Sequence, residues 1–258
     1  MITIKTAEDF AKMAAAGAVV AEVLATVREA AAVGVSMREL DTIGADIIRA
    51  ANMAPSFLGY HGYPATICTS PNEVIVHGIP SDRQIAEGDI ISVDAGAIHE
   101  GWHADAAITF AVGDVLPRVA ELVSATEEAL RAGIAQVQAG ARLGDIGAAV
   151  AAVADRVGLG VVREYIGHGI GNEMHEEPQV PNYGVAGKGM KLKEGMAICI
   201  EPMFNLGGPE TRTLDDGWTV VTADGEWSAH FEHTIAVTAD GPLVLTAQTV
   251  SETAGDLS

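Results

Sequence analysis

Apolar positions along this chain recur with a helical period and then a strand period, and the whole scheme occurs twice. From Thr6 to about Val33 runs a long Ala-rich stretch with Thr6 and Asp9 spaced as a cap and Gly34 as a stop, which predicts a helix. A second helix is expected from Ser36, with Glu39 at the capping-box position and Met37, Leu40, Ile43 and Ile47 on one face. Strand-like runs and turns follow to about Val112. Then a helix is expected from about Val119 to Val137, stopped near Gly140, and another with Leu143, Ile146, Val150 and Val153 on one face. Strands fill the rest.

Met37 and Leu143 open the faces of the two second helices. They are separated by nearly the same stretch of chain as Asp94 and Glu201, so these two acids take corresponding places in a duplicated pattern. Asp105 and Glu232 correspond only with an insertion in the second half. The alternative is a chance likeness of two αβ halves. No Ser/Gly linker, charge run or low-complexity tract separates them. The expectation is one α+β domain over residues 1–258, in two pseudo-symmetric lobes of about 1–115 and 116–250, with a polar tail at 251–258. Pockets favour the interface of such halves.

Four acids break the apolar pattern: Asp94 in IISVDAGA, Asp105 in HADAAITFAV, Glu201 after AICI and Glu232 in AHFEHTIAV. A buried carboxylate without a partner is among the costliest groups a core can hold. No Lys or Arg lies in any of the four runs, and the chain has 15 Lys plus Arg against 35 Asp plus Glu. The counter-charge expected is therefore a hard divalent ion. The net charge of −20 also argues against nucleic acid as a partner. Cys68 and Cys199 read as free thiols in a reducing compartment. The start, MITIKTAEDF, has no apolar signal core, and unbroken apolar runs are too short for a bilayer, so a soluble cytoplasmic protein is expected.

If the chain between Ile90 and Val112 turns between His99 and Glu100, Asp94 faces Asp105 directly. Opposed Cβ atoms lie roughly 4.5–5.5 Å apart, a spacing that ions in a two-metal site can bridge. The alternative is one protonated acid in an ordinary hairpin. His103 shares the strand face of Asp105, and His230 that of Glu232 in an expected last strand. His168 sits among glycines in IGHGIG, His175 in EMHEEP, and His77 ends the run NEVIVHGIP. Alternation puts Cys199 on the side of Glu201. Four carboxylates with one or two imidazoles suit Mn²⁺, Fe²⁺ or Co²⁺, with Mg²⁺ as a further option.

The segments LGYHGYP, NEVIVHGIP, VDAGA, GHGIG, MHEEP, IEPMF, DDGWTV and FEHT, in this order, resemble type 1 methionine aminopeptidase of the bacterial short form. The resemblance spans roughly Ile4 to Ala247 and implies the two-lobed pita-bread fold. It implies that Asp94, Asp105, His168, Glu201 and Glu232 hold two divalent ions (Co²⁺, Mn²⁺, Fe²⁺ or Zn²⁺), with Asp105 and Glu232 bridging. It implies that Glu201 manages the proton of the attacking water, while His77 and His175 contact substrate and stabilise the tetrahedral intermediate. The methionine pocket would involve Tyr60, Tyr63, Cys68 and Trp218, with His61 near its entrance. Phe57 and Met174 depart from the family pattern, where a small residue and an aromatic are frequent. The reaction implied is removal of the initiator methionine from nascent chains when the second residue is small, by a metal-activated hydroxide. A cytoplasmic monomer without membrane or nucleic-acid specificity is expected. Lys188, Lys191 and Lys193 read as a solvated loop, with transient ribosome contact as the alternative. The rival readings are an Xaa-Pro aminopeptidase of the same fold and a non-catalytic peptide binder. Glu232 follows Glu201 by only 31 positions, which disfavours the type 2 branch with its helical insert there.

Overall fold

Both expected capping boxes form. In the computed structural model, which describes residues 2–247, the Thr6 hydroxyl accepts from the Asp9 N–H, and the Asp9 carboxylate accepts from the Thr6 N–H at 2.8 Å. Ser36 and Glu39 do the same. Each box satisfies donors that a helix start would otherwise leave open. Helix α1 spans Ala7–Ala30 and α2 Met37–Ala50. α1 thus ends earlier than Val33, because Ala31 already turns extended (ψ 101°) before Gly34 reverses the chain at φ 93°. The tail expected at 251–258 lies outside the described residues.

The first half continues with β1 (Ala54–Pro55), β2 (Ile67–Pro71), β3 (Val74–Val76), β4 (Ile90–His99) and β5 (Trp102–Ala111). The second half has α3 (Pro117–Ile134) and α4 (Leu143–Val157), followed by β6 (Gly160–Val161), β7 (Gly167–Gly169), β8 (Glu176–Val180) and β9 (Ala197–Ile200). It closes with β10 (Met203–Asn205), β11 (Thr211–Thr213), β12 (Val220–Thr222), β13 (Ser228–His230), β14 (Glu232–Thr238) and β15 (Gly241–Val244). The main sheet runs β1-β4-β5-β14-β9-β7-β8, with β2 also on β4 and β15 also on β14. α1 packs on β4 and β5, and α3 packs on β14 and β9. The halves therefore meet between β5 and β14, with β4 and β9 in matching outer places. That arrangement is the expected two-lobed pseudo-symmetric α+β fold, and it pairs Asp94 with Glu201 and Asp105 with Glu232 by position.

α1 is long and apolar enough to cross a membrane by length and composition alone, although no unbroken apolar run in the sequence is. Half of its apolar window is buried, and Val20, Val23, Leu24 and Val27 join the core with Val93, Ala95, Ala104 and Ala106 of the sheet. It is placed as a core helix.

The hairpin register differs from the expected one. His99 pairs with Trp102, so the turn is Glu100-Gly101, and both residues have positive φ (49° and 80°). Such a turn matches the twist of the flanking strands, which is why two-residue hairpins favour it. Asp94 consequently faces Ala107, and Asp105 faces Gly96. The run around His230 is also two strands rather than one last strand. Ser228–His230 pairs with β10 in a small separate sheet, Phe231 breaks the run, and Glu232 opens β14 of the main sheet.

Candidate metal centre

Two adjacent rows across the main sheet carry the embedded acids. Pairings of Asp94 with Ala107 and of Ala107 with Glu232, with Glu201 one residue past β9 in the same register, form the first row. The second row runs Gly96, Asp105, Thr234, Cys199 and, continuing the pairing of Gly169 with Ile198, His168. Strand alternation puts all these side chains on one face. β7 can lie so close to its neighbours because of glycines: a Cβ on Gly167 would sit 2.2 Å from the Cys199 carbonyl oxygen, and one on Gly169 2.3 Å from that of Glu177. Only glycine permits that approach, and it sets His168 beside the carboxylates.

The row has no cation of its own. Asp94 Oδ1, Asp105 Oδ1 and Glu232 Oε1 are buried with no hydrogen-bond partner among the described residues. Burial drives the Asp94 carboxyl up to about 7. Burial, and then repulsion from the neighbouring carboxylates, holds Asp105, Glu201 and Glu232 well above the usual carboxylate range. Orphaned oxygens and mutual repulsion are relieved together by a divalent ion. His168 fits the same purpose. Its Nδ1 lies 2.8 Å from the Gly169 carbonyl oxygen, which fixes the Nδ1–H tautomer and leaves the Nε2 lone pair aimed at the acids, 3.6 Å from Glu201 Oε1. Burial lowers its pKa to about 3, so it is the neutral ligand form. The donor set of carboxylates and imidazole fits hard to borderline ions.

Above the acids lies a cavity of about 160 Å³. Its lining combines Asp94, Asp105, His168, Glu201 and Glu232 with Phe57, Tyr60, Tyr63, Cys68, Met174 and Trp218, and with His77 and His175. All five expected ligands and the expected pocket residues Tyr60, Tyr63, Cys68 and Trp218 line this one cavity, while His61, expected near its entrance, is exposed with its ring 4.4 Å from that of Tyr60. Phe57 and Met174 are lining residues and both are buried. His77 adopts φ 59°, a strained value for a non-glycine residue of the kind that persists at functional sites. Burial lowers its pKa to about 4 and also lowers that of His175. His175 Nδ1 lies 2.8 Å from Tyr60 Oη.

Two supports were not read from the sequence. Thr234 Oγ1 accepts from the Asp105 N–H at 2.9 Å and donates to the Asp105 carbonyl at 2.8 Å, clamping the backbone of one acid from the strand of another. The only signal was a polar Thr inside the apolar run after Glu232. His103, on the face of Asp105, bonds Ser56 Oγ through Nδ1 at 2.9 Å and holds the segment that carries Phe57.

The profile of metallopeptidase family M24 matches residues 11–239. Methionine aminopeptidase 1 of Mycobacterium tuberculosis is 51% identical over 249 residues, 94% of each chain. Methionine aminopeptidase 1 of Bacillus subtilis is 44% identical over 246 residues, 95% of this chain and 99% of its own. The crystal structure of methionine aminopeptidase from Thermotoga maritima superposes with a TM-score of 0.95 at 43% identity, covering 96% of this chain and all of that one (100%). Prolidase from Pyrococcus furiosus shares the fold, with a TM-score of 0.78 at 22% identity over 95% of this chain and 65% of its own.

Proposed function

The chain belongs to metallopeptidase family M24 and, within it, to the methionine aminopeptidases, and we propose that it removes N-terminal methionine from chains whose second residue is small, with the following residue roles. The observation that carries this reading is the two-row acid array with its orphaned oxygens, lining one cavity with a cluster of apolar and aromatic side chains. Asp94, Asp105, His168, Glu201 and Glu232 would hold two divalent ions between them, with Asp105 and Glu232 presented by the adjacent strands β5 and β14. Such ions acidify a bound water and polarise the scissile carbonyl.

The remaining chemistry belongs to the chain's own side chains. Glu201 takes the proton of the attacking water and returns it to the leaving amine; its carboxylate lies at the end of the first row, beside His168. With the Tyr60 phenol donating to His175 Nδ1, the Nε2–H of His175 is free to donate to the developing oxyanion. His77, neutral and held by the rings of Trp218 and Tyr165 at 6.2 and 5.6 Å, orients the substrate peptide. Phe57, Tyr63, Cys68, Met174 and Trp218 surround the methionine side chain, where ring edges and a second thioether suit its sulfur. Tyr63 is fixed for this role by donating to the carbonyls of Ile67 and Gly78 at 3.2 and 3.0 Å.

Residues 1–258 act in this proposal as one catalytic unit, monomeric and cytoplasmic. The exposed Lys188, Lys191 and Lys193 supply any transient contact with the ribosome. The test is turnover of Met-Ala-Ser, Met-Ile-Ser and Ala-Pro-Ser by metal-loaded and chelated protein. Cleavage of the first alone, lost with chelator and restored by Mn²⁺ or Co²⁺, is expected. Preference for the proline peptide, or activity that survives chelation, would overturn it.

A further inference from the structure

Cys199 stands in the second row between Thr234 and His168, and the roles above leave it unused. Its Sγ, a carboxylate oxygen of Asp105, one of Glu232 and a ring nitrogen of His168 all lie within 4.8 Å of one another. The side chain is fully buried. Its sulfur lies 3.5 Å from Thr234 Oγ1 and is also within hydrogen-bonding reach of the Glu232 carboxylate. That hydroxyl has already spent its proton on the Asp105 carbonyl. Thr234 therefore donates nothing to the sulfur, and the Asp105 and Glu232 carboxylates each keep one buried oxygen without a partner among the described residues. A sulfur, two carboxylate oxygens and an imidazole nitrogen are thus clustered within 4.8 Å of one another.

We infer that Cys199 Sγ is a donor to the divalent ion held by Asp105, Glu232 and His168, which makes that half of the centre a mixed oxygen, nitrogen and sulfur site. The inference rests on the metal-dependent reading proposed above. On ion uptake the S–H bond is exchanged for a metal–sulfur bond, and the proton leaves to solvent without any change of oxidation state. A soft thiolate biases the site toward Zn²⁺, Co²⁺ and Fe²⁺ and away from Mg²⁺ and Mn²⁺. A hydroxyl at this position would bond Thr234 equally well but would add no such bias. The competing account is a small core thiol that only fills space.

The experiment is anaerobic titration of the metal-free full chain with Co²⁺, followed in the near ultraviolet, with X-ray absorption of the Zn²⁺ form alongside. A thiolate-to-cobalt charge-transfer band that grows with ion uptake is expected. A sulfur shell near about 2.3 Å should accompany the oxygen and nitrogen shell of the zinc form. Cys199→Ser should lose both signals while still binding ions, and Cys68→Ser should keep them. The Co²⁺ over Mn²⁺ affinity ratio should drop on the order of tenfold in Cys199→Ser. Stoichiometric Co²⁺ binding by the wild-type chain with neither band nor sulfur shell would refute the inference and leave the metallopeptidase reading standing. Failure to bind Co²⁺ at all would remove both. The wild-type spectra decide the matter even if Cys199→Ser does not fold.

Discussion

Stripped of metal, this protein should lose stability as the pH rises above neutrality. Asp105, Glu201 and Glu232 are held well above the ordinary carboxylate range by burial and then by one another's charge, and Asp94 is raised to about 7 by burial. In the unfolded chain all four ionise near about pH 4. The folded, metal-free protein therefore holds more protons than the unfolded one, and its stability falls with pH. This contribution is fully present below the unfolded values and is lost as the pH climbs through the folded ones. Buried histidines work in the opposite sense. His77 is lowered by burial to about 4, and His168 and His230 to about 3, so unfolding takes up protons on them at mildly acid pH. Their contribution rises with pH and is nearly complete by about pH 8, because an unfolded histidine titrates near about 6.5.

Between about pH 7 and pH 8, then, the histidines add only a few tenths of a kcal/mol and the acid array dominates the balance. Each proton it retains lowers stability by about 1.4 kcal/mol across that unit. For a domain of this size that is a fall in Tm of roughly 3–6 °C. Divalent ions replace the protons, so saturating Mn²⁺ or Co²⁺ should abolish the fall. Calorimetric scans of chelator-treated and metal-loaded protein at the two pH values check it, and ion uptake should release protons measurable from the buffer dependence of the binding heat. A metal-free Tm that stays level or rises from pH 7 to pH 8 would show that the acids are already ionised, and the electrostatic case for the metal centre would fail.

Asp105→Asn keeps the volume but removes a charge on a central strand, so bound metal should fall below one ion per chain by elemental analysis; two ions retained would deny it a bridging role. His175→Ala should lower kcat by about 10²–10³ with metal content unchanged, since one oxyanion donor is worth that much. Metal lost in step with activity would instead mark His175 as a ligand. Gly96→Ala would place a Cβ 2.8 Å from Ser56 Cβ and 3.0 Å from Phe57 Cε1, driving Phe57 into the cavity. KM for Met-Ala-Ser should rise, with a stability cost of about 1–3 kcal/mol from overpacking; an unchanged KM would show that Phe57 does not bound the methionine pocket.

What the sequence made legible divides along a physical line. Face parity is a local property: an acid inside an apolar run points where its even-numbered neighbours point, so Asp94, Asp105, Glu201 and Glu232 could be read as one convergent set, with Cys199 on the side of Glu201. The caps at Thr6 and Ser36 are local too, each closed within three residues. Register is not local in the same way. It depends on the turn, and Glu100-Gly101 lacks the Asn-Gly or Asp-Gly pair that announces a two-residue hairpin, although Glu100 adopts the left-handed conformation such a turn requires. The resulting offset of two residues preserved the face and changed the partner, because side chains in a strand repeat every second position. The rows themselves lie furthest from sequence. They need β14 to pair with β5 and β9, and His168 to reach Cys199 through glycines whose role is visible only once a backbone lies 2.2 Å from their missing Cβ. Thr234 shows the consequence. In sequence it is a polar residue in a strand; in the row it is the hydroxyl that holds the Asp105 backbone and lies 3.5 Å from the Cys199 sulfur.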